Sequence, residues 1–199
     1  ELLTELRPDV ILTQALCDVC AVSFDAVRTF AAELPNRPQV VSLDPNSLEA
    51  VLRTVQTVAT AAGRTERAGA VISALRTRID AVRREGSRRV TKPRVLLMEW
   101  ADPPMCCGHW TPELIALAGG VDPFNRSGRP AVKIGWNDLV TSNPDIVAVA
   151  PCGYDLERAA VDANRILARP ELAQVTAIRT GAVYAIDGKD ACVEILADG

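Results

Sequence analysis

The feature that most constrains this chain is a repeated alternation of short, β-branched apolar runs with longer helical stretches. Arg7-Pro8-Asp9 leads into Val10-Ile11-Leu12-Thr13, and Asn143-Pro144-Asp145 leads into Ile146-Val147-Ala148-Val149-Ala150. Continuous apolar runs of this length, bounded by turn residues, predict strands of a parallel sheet buried on both faces. Further strands are predicted at residues 40–43, 94–100 and 182–186, and helices at 22–33, 48–62, 65–85, 111–118, 137–140, 155–168 and 170–177, with a closing helix around Cys192. Asp44-Pro45-Asn46-Ser47 reads as a capped helix start. The stretch from Thr65 to Glu85 is long and Arg-rich, with Ala70, Ile72, Leu75, Ile79 and Val82 as its apolar stripe, and Gly86-Ser87 stops it. Strand and helix alternate on either side of it, so the fold class is α/β, two lobes with mostly parallel sheets.

Composition narrows the function. Of 199 residues, 48% are hydrophobic and 24% charged, and the formal net charge is −3. Arginines are dispersed through the chain without a basic block of the kind that marks a nucleic-acid surface. No apolar run approaches the roughly 20 residues needed to span a bilayer. Gly-rich phosphate loops of the P-loop or dinucleotide type are absent. Aromatics are only 4%, so their positions carry information.

Ligands of open parallel sheets bind beyond the carboxyl ends of the strands. Three such ends hold the unusual residues: Gln14 to Cys20, Glu99 to Trp110, and Pro151 to Tyr154. Five of the six cysteines, the one histidine (His109), and Trp100 and Trp110 fall there. Isolated cysteines are mostly small core fillers, and Cys192 reads that way. Three chemistries compete for the rest. In the first, Trp100, Trp110 and Tyr154 offer stacking area to a large planar ligand, and His109 offers a polar or coordinating nitrogen. In the second, Cys17, Cys20, Cys106, Cys107, Cys152 and His109 hold a soft metal ion or an iron–sulfur cluster. In the third, a cysteine is a nucleophile with His109 as its base.

The residues also carry a resemblance. Leu6 to Gln14 followed by Cys17-Asp18-Val19-Cys20-Ala21-Val22-Ser23, Met98-Glu99-Trp100-Ala101-Asp102-Pro103-Pro104 followed by Gly108-His109-Trp110-Thr111-Pro112-Glu113-Leu114 and Ala118-Gly119-Gly120, then Asn143 to Val147, Pro151-Cys152-Gly153 and Gly181 to Gly188 resemble cobalamin-binding ABC transporter proteins. The resemblance spans nearly the whole chain. It implies the helical-backbone class of periplasmic-binding-protein-like fold, two α/β lobes joined by one long rigid helix with the ligand held between them. The implied lobes are residues 1–64 and 87–199, with the linking helix at 65–86. Measured against the family pattern, the first lobe lacks its first strand–helix unit and the stretch after Gly188 is short.

The resemblance implies a binding protein, not an enzyme, working as a monomer beside an ABC permease and needing no cofactor. Its ligand is cobalamin or a related corrinoid or metal chelate. The implied ligand contacts are Cys17 and Cys20 from the first lobe, and Glu99, Trp100, Pro104, Gly108, His109, Trp110, Cys152, Gly153 and Tyr154 from the second. The family works outside the cytoplasm, in the periplasm or anchored to a membrane. Several free thiols fit a reducing compartment better, which sets a cytoplasmic relative beside that expectation.

Overall fold

Two serine side chains set where the first long helices begin. The Ser23 hydroxyl accepts the Ala26 N–H (3.3 Å) and the Ser47 hydroxyl accepts the Ala50 N–H (3.2 Å), each satisfying an N–H that the first helical turn leaves without an internal partner. The computed structural model describes residues 2–16 and 22–189, and the backbone of 193–194. The chain divides into two compact units, Glu1–Arg78 and Ile79–Gly199.

Unit 1 runs α1 (Leu2–Leu6), β1 (Val10–Thr13), α2 (Phe24–Glu33), β2 (Gln39–Ser42), α3 (Leu48–Ala61) and into α4 (Thr65–Ser87). β1 and β2 pair in parallel, with Val10 opposite Gln39 and Thr13 opposite Ser42. A parallel pair needs a crossover, and α2 supplies it. The Asp44 carboxylate then ties the two strand ends together: Oδ1 accepts the Ala15 N–H and Oδ2 accepts the Ser42 hydroxyl. The helix expected over 65–85 is the single helix α4, and the boundary between the units falls inside it.

Unit 2 runs β3 (Val95–Ala101), β4 (Pro104–Cys106), α5 (Thr111–Leu117), β5 (Val132–Lys133), α6 (Trp136–Ser142), β6 (Ile146–Val149), α7 (Leu156–Leu167), a 3-10 turn (Pro170–Leu172), α8 (Thr176–Arg179), β7 (Val183–Ile186) and β8 (Val193–Glu194). Its six strands lie in the order β5-β4-β3-β6-β7-β8. The inner three, β3, β6 and β7, are mutually parallel, and β4, β5 and β8 join antiparallel at the edges. Leu96, Met98, Val147, Val149 and Val183 from the parallel strands pack with Leu139, Ile166, Leu172 and Val175 in the core. The apolar runs at 94–100, 146–150 and 182–186 are these parallel strands, whereas Val10–Thr13, expected to be buried on both faces, leaves Leu12 45% exposed in the two-stranded sheet of unit 1.

The two x-Pro-Asp motifs are structural equivalents. Arg7 and Asn143 each follow a helix, take a positive φ (45° and 42°), and donate their N–H back to a helix carbonyl, Leu3 and Leu139 respectively. The Pro-Asp pair then opens a strand. In unit 2 the motif also ties elements together, because Asn143 Oδ1 accepts the Thr176 N–H (2.7 Å) and Asp145 Oδ2 accepts the Arg94 N–H (2.7 Å).

Several expectations are corrected. Residues 101–110 were expected to be loop, yet Pro104–Cys106 is a strand that folds back on β3, with Met98 opposite Cys106. The expected closing helix is instead β8 at Val193–Glu194, paired antiparallel to β7. The open edge of β7 presents backbone groups that pairing satisfies. Cys192 itself lies outside the described residues. The helix expected over 170–177 is a 3-10 turn followed by the short α8.

Candidate functional site

The carboxyl ends of β3 and β6 carry the chemistry of unit 2. β3 delivers Glu99 and Trp100, and β6 runs through Ala150 into the turn Pro151-Cys152-Gly153-Tyr154. The Trp100 and Tyr154 rings meet at 5.4 Å between centroids, tilted by 51°, within the favourable range for aromatic pairs. The Arg158 guanidinium, in the first turn of α7, lies 5.1 Å from the Tyr154 ring centre. Gly188, just past β7, donates its N–H to Tyr154 O (2.9 Å). A Cβ at Gly188 would stand 2.1 Å from Pro151 O, so only glycine lets the two segments close on one another.

In the same unit, the Gly108-His109-Trp110 loop is held against residues 128–131. The His109 N–H donates to Arg129 O (2.6 Å), and the Gly128 N–H donates to His109 O (2.8 Å). Gly108 passes so close that a Cβ there would be 2.4 Å from Ala131 N. His109 is turned into the left-handed region, φ 56°, a conformation that non-glycine residues hold only when their surroundings impose it. The His109 and Trp110 rings are neighbours at 6.1 Å, and both side chains are half-buried.

The clamp depends on two residues that sequence reasoning missed, Asp122 and Asn125, both buried. Asp122 Oδ1 accepts the Phe124 and Asn125 N–H groups (2.8 and 2.9 Å). The Asn125 amide donates to Cys107 O and to Pro130 O (2.9 Å each). Asn125 is thereby the bridge between the end of β4 and the loop that grips His109. In the sequence the Asp122-Pro123 pair carried a turn signal, but no signal for burial.

The cysteines behave differently from the aromatics. Cys106 is fully buried and its thiol hydrogen-bonds to Val132 O (3.4 Å). Burial, with the Asp122 charge adding to it, pushes this thiol up. Burial raises Cys107 further, helped by the Glu99 charge. Both therefore stay protonated at neutral pH, which removes them as nucleophiles. Cys152 is exposed. Among the described residues no group of three or more His, Cys, Asp or Glu side chains converges to hold a metal ion. Cys106, Cys107, His109 and Cys152 are thus not gathered as the second chemistry required, while Cys17 and Cys20 lie outside the described residues. Pro104 is buried in β4 and shapes the hairpin, its carbonyl accepting the Ile134 N–H (3.0 Å). Glu99 is half-buried, and burial pushes its carboxyl up.

The sequence model for periplasmic binding proteins matches residues 1–189. The chain belongs to that family. Among solved structures, the ABC transporter substrate-binding protein from Listeria monocytogenes EGD-e is similar to this family member at 19% identity and a TM-score of 0.74, covering 94% of this chain and 70% of that one. The heme-complexed IsdE of S. aureus is 16% identical with a TM-score of 0.73, over 93% of this chain and 70% of its own. The periplasmic vitamin B12 binding protein BtuF of Vibrio cholerae is 16% identical with a TM-score of 0.68, over 93% and 67%. These likenesses establish the two-lobed α/β fold. A comparison with curated proteins returns no match. Members of the family are extracytoplasmic binding proteins rather than enzymes. Among the described residues, no helix is long and apolar enough to cross a membrane.

Proposed function

We propose that this protein is the substrate-binding component of an ABC importer and that its ligand is cobalamin or a related corrinoid or metal chelate. The observation that carries the reading is the Trp100–Tyr154 pair at the strand ends, together with the His109-Trp110 loop held by its backbone hydrogen bonds, in a chain with only 4% aromatics. Large planar ligands are recognised by apolar stacking area with a few fixed polar groups. Trp100, Trp110 and Tyr154 supply the area. The His109 imidazole is the polar or metal-coordinating group, with Glu99 and the Cys152-Gly153 turn at the border. The protein works as a monomer outside the cytoplasm and hands its ligand to the permease. The thiol argument for a reducing compartment loses force, because Cys106 and Cys107 are buried away from oxidants. Their burial also speaks against Cys106 or Cys107 as a nucleophile.

The test is a titration of reduced, metal-stripped protein with cobalamin, followed by tryptophan fluorescence and calorimetry. Saturable one-to-one binding, micromolar or tighter, corresponds to about −8 kcal/mol or better. His109→Ala and Trp110→Ala weaken it at least about tenfold, or about 1.4 kcal/mol, without lowering the melting temperature. Unchanged affinity in both variants refutes the site. Heme, offered in competition, reports through its visible spectrum whether a histidine ligates it.

A further inference from the structure

Charge is unevenly divided along this chain. Residues 53–94 carry ten Arg and one Lys against three acids, a net of +8, so the remainder carries −11 of the overall −3. Each arginine there stands apart from the next or in a pair, which is why the sequence shows no basic block. The helix that threads this segment, α4, has 23 residues and is about 34 Å long at 1.5 Å per residue. Four of the cations have carboxylate partners, Arg76 with Glu49, Arg83 with Asp80, Arg88 with Glu85 and Arg94 with Asp145. The other seven have no ion-pair partner among the described residues.

Two of the seven repeat on one side of α4. Arg67, Val71, Arg78 and Val82 are separated by four, seven and four residues, spacings that return to the same helix face. Arg67 and Arg78 are exposed. Val71 and Val82 are each 48% exposed, far more than valines packed in a core. An open apolar trough of about 380 Å³ lies between α3 and α4, floored by Val55, Val58, Ala68 and Val71 with Arg64 and Arg67 in its lining. The face thus interleaves cations that lack acidic partners with apolar side chains that lack cover.

We infer that this arginine–valine face of α4 docks on an anionic phospholipid bilayer. Charge complementarity selects an anionic partner. The spread of single arginines over the helix length selects a surface that offers negative headgroups at every register. Exposed valines between the arginines would sit at the headgroup boundary, as in interfacial helices. Such docking would keep a binding protein close to the membrane in which its permease sits. The inference rests on the α4 face and the trough beside it and not on the ligand site, so failure to bind cobalamin would leave it standing.

The test is cosedimentation of the purified chain with vesicles of phosphatidylcholine alone and of equal parts phosphatidylcholine and phosphatidylglycerol. The expected result is retention on the phosphatidylglycerol vesicles alone, lost in high salt as screening removes the attraction. Each arginine near an anionic surface strengthens binding by about fivefold. The double change Arg67→Glu with Arg78→Glu should therefore lower partitioning by about tenfold or more, and should leave cobalamin affinity unchanged. Should that variant misfold by circular dichroism, Arg67→Gln with Arg78→Gln is measured instead, with the same expectation. No retention on phosphatidylglycerol vesicles, or equal retention by a folded variant, overturns the proposal. Retention on immobilised polyglutamate or DNA without retention on vesicles also overturns it, and assigns the face to a polyanionic macromolecule.

Discussion

Removing the Asn125 carboxamide tests whether the His109 loop is held by its neighbours or stands on its own. The side chain is only 4% exposed. It donates at 2.9 Å to Cys107 O and at 2.9 Å to Pro130 O, and its oxygen accepts the Arg126 N–H at 2.8 Å. A net hydrogen bond contributes about 1 kcal/mol, and a buried carbonyl left without its donor costs about 1–3 kcal/mol. Asn125→Ala removes two donors from carbonyls in or beside the clamp, one of which water can reach once the side chain is gone. The expected loss is about 2–4 kcal/mol, on the order of 10 °C in melting temperature for a unit of this size.

The assay is thermal and urea unfolding followed by circular dichroism, beside a cobalamin titration. Affinity should fall with stability, since a loop that samples other conformations binds only through its competent fraction. Asn125→Asp is the sharper version. It keeps the shape but aims a carboxylate at two carbonyl oxygens, so at neutral pH it should destabilise at least as much as alanine. Its deficit should shrink as acid restores one donor. A loss below about 0.5 kcal/mol for both variants, smaller than one typical net hydrogen bond, would refute the claim that Asn125 organises the loop.

Further expectations follow from the same geometry. Gly188→Ala drives a Cβ to 2.1 Å from Pro151 O, and overpacking against backbone should cost at least about 2 kcal/mol and displace Tyr154, read as lost tryptophan-to-ligand quenching. Burial holds the Glu99 carboxyl above its ordinary range, so its contribution to stability is present at acid pH and lost as pH rises through the raised value. Glu99→Gln should accordingly be more stable than the parent at neutral pH, with the gap closing towards acid; a gap that widens on acidification would contradict the assignment. Alkylation followed by peptide mapping should label Cys152 well before Cys106 and Cys107, which are buried and react as thiolates only on unfolding.

The parallel strands and the capped helices were legible because their signals are local. Val10–Thr13 and Ile146–Val149 are unbroken apolar runs, and Ser47 stands one residue before its helix. The edge strands were not, because two or three residues carry no periodicity to read. That omission explains the misreading of the cysteines. With Ala101 to Trp110 taken as loop, Cys106 and Cys107 looked like site residues, whereas the pairing of Cys106 with Met98 turns Cys106 into the core. Trp100 and Tyr154 fall at the ends of β3 and β6 as read because those strands were read, whereas Trp110 stands beyond β4 at the start of α5. Asn125 escaped notice since a polar residue among Pro, Gly and Arg reads as exposed turn, and only the fold brings Cys107 and Pro130 to either side of it.

Among the described residues, both margins of the unit 2 sheet are very short. β5 is Val132–Lys133 and β8 is Val193–Glu194, each of two residues, and Lys133 is exposed. A long unpaired margin is a template on which another chain can add a strand. Here the apolar parallel strands are walled in by stubs too brief to offer more than a couple of backbone bonds, one of them tipped with a lysine. The same irregular pieces that hid from the sequence reading therefore leave little backbone for another chain to pair with at these two margins of the unit 2 sheet.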